Sequence, residues 1–298
     1  MTEVLQLLIS GSIQGMIYAL IAFGYNLTFS TSKTINFSLG QIVMLGGVVG
    51  YILYVNMQSG QHSGIPFIVP LIAVLLVGML SGALVHKSAV EPSLKFKSEY
   101  TWILATLAMG IIMKNGVEQL WSTGDYKMLS PLGDDILRFG GIGVYAQEIL
   151  IVIVSLGIVC GVEIFKRRTI YGKAIQAVSE DKATASLMGI PEKFVITVSF
   201  MMSACIAAIA GLLVAPLTFV SASMGTVLGI KAYSVSIIGG LESGFGPLVG
   251  GLILGISEAF TARYISTGYK EMPGFIFLII VILFKPNGLF GKKIIKKV

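Results

Sequence analysis

Residues 34–86 read TINFSLGQIVMLGGVVGYILYVNMQSGQHSGIPFIVPLIAVLLVGMLSGALVH, without one Asp, Glu, Lys or Arg. A membrane crossing takes about 20 apolar residues, so this stretch holds two. They are divided by the polar run Asn56-Met57-Gln58-Ser59-Gly60-Gln61-His62-Ser63-Gly64 and restarted at Ile65-Pro66. Upstream, separated only by Lys33, Val4 to Ser32 is also uncharged and supplies one crossing. Downstream, further spans are expected at Tyr100–Trp121, Gln147–Phe165, Phe194 to about Leu213, Pro247 to about Tyr264 and Pro273 to about Phe284. The piece between Gly229 and Gly240 is too short to cross comfortably. The expected fold is therefore an all-α, polytopic membrane helix bundle of eight or nine segments, broken or short near 229–246. Residues 1–298 form one membrane domain, with a loop at 166–193 and a basic tail at 286–298.

Composition supports this class and removes others. Of the 298 residues 55% are hydrophobic and 12% charged, against about a quarter charged in soluble domains, and mean hydropathy is +0.87. So few charges cannot cover a water-facing surface, which sets aside soluble enzymes and nucleic-acid binders; most of the surface meets lipid or other protein. Cys160 and Cys205 lie within apolar stretches and read as small packing residues, not a disulfide framework. The opening Met1-Thr2-Glu3, followed at once by an apolar run, reads as a retained helix and not a signal peptide.

The net charge of +6 is concentrated in particular connections. Lys33, Lys87, Lys95, Lys97, the basic residues of the 166–193 loop, Lys285 and the tail lysines fall on one side, fifteen of 21. Lys127, Arg138, Arg263 and Lys270 fall on the other, with Lys114 and Lys231 inside apolar segments. The positive-inside rule then puts the loop and C-terminus in the cytoplasm and the N-terminus outside. That arrangement requires an odd number of crossings, so the short segment before Gly240 must cross with help from its neighbours.

Glycines four residues apart recur at Gly46/Gly50, Gly78/Gly82, Gly157/Gly161 and Gly251/Gly255, a spacing that lets helices approach closely in lipid. The interruption Gly239-Gly240-Leu241-Glu242-Ser243-Gly244-Phe245-Gly246-Pro247 admits two readings. One is a tight turn between helices; the other is unwound backbone at a transport site. Lys114 and Glu118 can pair one turn apart beside Trp121, and Glu163 precedes Lys166-Arg167-Arg168. Glu258 stands within its span, where local pairing is weighed against proton relay. The chain has no Walker A string, no Cys/His metal cluster, and no G-x-S-x-G or H-E-x-x-H motif. No cofactor is expected.

The segment 166–193 is too polar to cross but patterned for two short helices. Ala174, Ile175, Ala177 and Val178 form one apolar patch and Ala183, Ala185, Leu187 and Met188 another, with Gly189 and Pro191 as a stop. Such helices suit either insertion into a groove on another protein or attachment to the membrane surface.

The string Thr169 to Lys182, continuing through Ala185-Ser186-Leu187-Met188-Gly189-Ile190, closely resembles the cytoplasmic loop of H-type permease subunits of branched-chain amino acid ABC importers. Gly11 to Ala22, Ile35-Asn36-Phe37, Lys231-Ala232-Tyr233, Ile238-Gly239-Gly240, Gly250 to Ala259 and Lys285 to Gly291 extend the resemblance over nearly the whole chain. It implies a non-catalytic subunit of the bacterial inner membrane that moves leucine, isoleucine or valine by alternating access. The implied partners are a second homologous permease, two cytoplasmic ATP-binding subunits and an extracytoplasmic solute-binding protein, with membrane lipid around them and no nucleic acid. The 166–193 loop becomes the segment coupled to ATPase closure, carried by Gly172, Lys173, Ala174, Ala177, Glu180, Asp181, Ala185 and Gly189. Asn36, Gln41, Gly239, Gly240 and Glu242 are candidates for the pathway. Where the family usually has Ala-His-Gly-Glu after Ile-Asn-Phe, this chain has Ser38-Leu39-Gly40-Gln41. The same architecture serves importers of amides and urea. From another class, the alternative is an ion-coupled secondary carrier titrating Glu258 or Glu242.

Overall fold

In hydrocarbon every backbone N–H and C=O needs a partner within the chain, and a helix supplies it locally. A computed structural model describes residues 2–55, 62–95, 100–133, 135–139 and 142–291. The four tail lysines 292, 293, 296 and 297, and Lys97, lie outside the described residues.

Helix α1 (Thr2–Ser32) is followed by α2 (Leu39–Tyr54) and α3 (Ile68–Val85), which continues through a π-helical turn (His86–Val90) into α4 (Glu91–Ser93). Then come α5 (Thr101–Leu120), strands β1 (Ile136–Phe139) and β2 (Ile142–Tyr145), α6 (Ala146–Arg168), α7 (Ile170–Glu180), α8 (Lys182–Leu187), α9 (Glu192–Val214), α10 (Met224–Gly239), α11 (Gly246–Tyr264) and α12 (Met272–Phe284). Among the described residues five helices are long and apolar enough to cross a membrane, counting α3 with α4 and α12 with its preceding turn; α2 and α10 are shorter apolar helices.

Contacts between connections assign the two ends of the bundle. At one end Lys193 pairs with Glu91 (3.1 Å), Lys33 with Glu242 (2.6 Å) and Lys166 with Glu163 (2.9 Å). At the other, Arg263 pairs with Glu3, and Tyr126 and Val220 exchange backbone hydrogen bonds. Lys33, Lys166 and Lys193 thus sit at one end and Arg263 at the other, as assigned from sequence, and the chain runs back and forth between the two ends. The antiparallel β1–β2 hairpin, in register Ile136↔Tyr145, was not anticipated. Gln6 holds it to the start of α1, its Nε2 donating to the Gly143 carbonyl (2.8 Å) and its Oε1 accepting from the Gly143 N–H (3.1 Å).

The bundle centres on α9, two-thirds buried, and α1, half buried, while α6 and α12 lie at the periphery. Glycines set the closest approaches. A Cβ on Gly11 would come 2.8 Å from the Gly255 carbonyl, and one on Gly15 would strike the Gly251 carbonyl, so α1 and α11 cross through a small-residue pair on each helix. Gly46 and Gly78 pack on α9 in the same manner at Ala208 and Ala204, whereas Gly157 and Gly161 face open space. Gly251→Leu is expected to separate α1 from α11 and to lower stability by about 3 kcal/mol or more, read as earlier thermal unfolding of the purified protein. An unchanged transition would refute the tight crossing.

The segment expected to be short is α10. It starts at Met224 rather than Gly229 and runs unbroken for 16 residues to Gly239, roughly 24 Å at 1.5 Å per residue. The interruption falls in the following turn, where Gly240 takes a left-handed φ of +100°. Buried non-helical chain occurs instead just before α2, at Thr34, Asn36 and Ser38, and just before α10, at Val220 to Ala222.

Candidate functional site

At the lysine-rich end, Thr169 starts the α7–α8 segment. Its Oγ1 accepts the Gly172 N–H (3.0 Å), capping α7. Ile175 and Val178 are buried against the bundle, drawing Ala174 and Ala177 partly inward. The first small apolar patch therefore packs on this chain's own helices and is not free to enter another protein's groove. Gly172 fits because a Cβ there would strike the Phe165 carbonyl and approach the Lys166 carbonyl to 2.7 Å. Asp181 caps α8 by accepting the Thr184 N–H (3.0 Å), which holds its carboxyl below the usual carboxylate range. A carboxylate shifted downward keeps its capping charge at neutral pH and loses it only as acid passes the lowered value. Lys182, its ammonium pulled below the usual value by burial, donates to the Ser32 carbonyl (2.6 Å) and ties α8 to the end of α1. Ala185 is buried, and Gly189 ends the helix at φ +83° with open space around it. Lys173, Glu180 and Asp181 are exposed, and Ile170, Leu187 and Met188 are each at least 80% exposed. The α7–α8 segment is fastened on one face and presents exposed apolar side chains on the other.

The pathway candidates separate into two places. Gln41 lines a cavity of 340 Å³ with Tyr25, Phe37, Thr226, Tyr233 and Lys114. Its Nε2 donates to Thr226 Oγ1 (2.9 Å), while its Oε1 is buried without a hydrogen-bond partner among the described residues. Asn36 does not enter this lining; its Oδ1 accepts from the N–H (3.1 Å) and Oγ (2.6 Å) of Ser38, shaping the entry to α2. Phe37 stands between Trp102 and Tyr233, giving the cavity an aromatic wall.

Gly239, Gly240 and Glu242 lie instead at the turn between α10 and α11. Asn26, from within α1, donates to the carbonyls of Gly240 and Ser243 (2.8 Å each) and accepts from Ser236. The post-α12 segment folds back so that the Leu289 N–H donates to the Ile238 carbonyl (2.9 Å) and the Phe290 N–H to the Gly239 carbonyl (3.2 Å). The freed carbonyls that end any helix are thus satisfied by the tail, and the turn reading fits in place of an unwound site. Glu242 forms an exposed ion pair with Lys33.

Glu258 is fully buried. Its partners are Lys231 Nζ (3.0 Å) and the Tyr18 hydroxyl, which donates to it (2.9 Å); Lys231 also faces Glu271 at 3.5 Å. The locally paired carboxylates behave as expected, Glu118 with Lys114 and Glu163 with Lys166 and Arg167. Sequence reasoning missed Asn26, Thr226 and the Lys231–Glu258 partnership. The available signal was a polar residue alone in an apolar span, but its partner lay elsewhere in the chain.

The family described as "Branched-chain amino acid transport system / permease component" matches residues 7–284. The chain belongs to this family. Among similar proteins are the high-affinity branched-chain amino acid transport system permease protein BraD of Pseudomonas aeruginosa, 30% identical over 99% of this chain and 98% of that one, and LivH of Escherichia coli strain K12, 30% identical over 99% and 97%. LivH of Salmonella typhimurium is 29% identical over the same shares. Family membership supports the transport-permease reading and lends none to the ion-coupled carrier.

Proposed function

We propose that this chain is the membrane-spanning, non-catalytic permease subunit of an ATP-driven importer of leucine, isoleucine or valine in the bacterial cytoplasmic membrane. The observation that carries the proposal is the α7–α8 segment, locked to α6 through Gly172 and to α1 through Lys182, with Ile170, Leu187 and Met188 exposed. Exposed large apolar side chains gathered on a short projecting element mark a protein contact. The contact is a cytoplasmic ATP-binding subunit, one of two, with a second permease beside this chain and a solute-binding protein delivering cargo from outside. The α7–α8 end and the C-terminus then face the cytoplasm, where basic connections belong.

In this reading ATPase closure moves the 166–193 loop. Lys173, Glu180, Asp181 and Gly189 lie on its outer side, while Gly172, Ala174, Ala177 and Ala185 transmit the movement to α6, α1 and α9. The bundle passes between two states biased by its partners. Gln41, with an unpaired buried carbonyl oxygen able to accept an N–H, lines the route.

Labelled leucine uptake is expected only when this chain is produced together with the second permease, the ATP-binding subunits and the binding protein. Uptake by the chain alone, sensitive to an ion gradient, would refute the proposal. Urea and short amides are expected to leave leucine uptake unchanged; displacement by them at equal concentration would move the substrate to that class.

A further inference from the structure

The Ser32 carbonyl, last in α1, lies beyond the reach of the helix's own N–H groups, and Lys182 of α8 donates to it from Nζ at 2.6 Å. Glu192 favours the charge on Lys182 and Lys33 opposes it. Lys33 follows in a left-handed backbone conformation, φ +58°, and among the described residues it is the only non-glycine with a positive φ. A residue with a Cβ disfavours that region, so the surrounding structure must hold it there. Helical bonding reaches Lys33, whose N–H donates to the Phe29 carbonyl (2.8 Å); the Thr34 N–H turns instead to Ser32 Oγ (3.1 Å). The chain therefore leaves α1 at a strained joint gripped by α8.

Beyond the joint, Thr34, Asn36 and Ser38 are buried in non-helical chain. Phe37 stands between Trp102 of α5 (ring centres 6.4 Å apart) and Tyr233 of α10 (5.5 Å), in the wall of the 340 Å³ cavity that Gln41 lines. The first turn of α2 is fixed against α10, since a Cβ on Gly40 would strike the Gly225 carbonyl. Movement is thus confined to the few residues between Lys33 and Phe37, with a strained joint at one end and a fixed helix at the other.

We propose that Lys182 is a positioning residue for transport: by holding the Ser32 carbonyl it keeps Lys33 left-handed and Phe37 in the cavity wall, and when α8 moves it releases both. This rests on the import reading, in which ATPase closure moves the 166–193 loop. Once released, Lys33 takes a right-handed φ, α1 lengthens, and Phe37 withdraws from between Trp102 and Tyr233, opening the wall between α5 and α10. A hydrogen bond, a backbone joint and an aromatic ring then form one element with two arrangements, which is what carries coupling between distant sites.

The test uses the complete importer in membrane vesicles, with Cys160 and Cys205 of this chain replaced by serine and Leu107→Cys, on the α5 side of the same cavity, as reporter. Trapping with ATP and vanadate is expected to change thiosulfonate labelling of residue 107 by about fivefold. Lys182→Met should abolish most of that change while leucine-stimulated ATP hydrolysis continues, so that the ATP consumed per leucine accumulated rises about fivefold. Lys182→Arg keeps a donor and should restore both values. Lys33→Gly, free to stay left-handed after release, should weaken the labelling change in the same way; Lys33→Gln removes the charge, retains the constraint and should preserve it. A Lys182→Met importer with the parent's ATP consumption per leucine and the parent's labelling change would overturn the proposal and leave the import reading standing. Joint loss of uptake and ATP hydrolysis in that variant would also overturn it, because Lys182 would then serve folding or ATPase docking. A Lys182-dependent labelling change in vesicles whose parent importer accumulates no leucine would support the linkage and overturn the import reading.

Discussion

Lys231→Met should destabilise the bundle by about 3–5 kcal/mol, the range for removing one partner of a buried ion pair. Glu258 is fully buried, and once the ammonium at 3.0 Å is gone its remaining hydrogen-bond partner among the described residues is the Tyr18 hydroxyl at 2.9 Å. Attraction between the pair roughly offsets the cost of taking both charges from water, so deleting both should be far gentler. Lys231→Met/Glu258→Leu is expected to recover most of the loss. Glu258→Gln alone should be milder than Lys231→Met, because Lys231 keeps Glu271 at 3.5 Å and a 12% exposed side chain. Thermal unfolding in lipid nanodiscs would show the order; a Lys231→Met transition within 1 kcal/mol of the parent, on the order of experimental scatter, would remove the pair from the fold's essential contacts.

The second large effect is on coupling. Gly172→Leu is expected to cut leucine-stimulated uptake by the complete importer to less than about a tenth while the bundle still folds. The new side chain would occupy space held by the Phe165 carbonyl and the Lys166 backbone, so α7 must lift from α6. Gly189 provides the contrast: nothing lies within 4 Å of a Cβ there, and its only constraint is the φ of +83°. Gly189→Ala should therefore cost about 1 kcal/mol of local strain and leave most uptake. Equal loss in both variants would show that the α7–α8 segment responds to sequence at its tip rather than to its seat on α6.

Helix positions were legible where charge or proline bounds an apolar run. The span expected over Tyr100–Trp121 is α5 at Thr101–Leu120, and Pro247 and Pro273 each stand in the first turn of α11 and α12. The loop helices and the Gly189 stop were also readable, because a 3.6-residue period and a left-handed glycine are local signals. The start of α10 was not, since Ser221 and Ala222 before it look like loop yet are covered by the bundle. Gln41 is marked by the resemblance, at the position where the family usually has Glu, and the structure places it in a cavity. Glu242 is marked by the glycine-rich interruption around it, but it meets Lys33 at the surface, 209 positions away. No periodicity reveals a partner at that separation, and the same holds for Lys231 with Glu258.

Asn26 carries a consequence for biogenesis. Its acceptor at Gly240 lies 214 positions later in the chain, so at about 5–20 residues per second of synthesis the first helix waits roughly 10–40 s for the carbonyls its amide finally meets. During that interval the amide must be hosted by water, a lipid headgroup or the insertion machinery. The closing strap at Leu289 and Phe290 forms later still, once α12 has been made. Assembly of the lysine-rich end is therefore a late event in which α1 waits for segments made more than 200 positions after it.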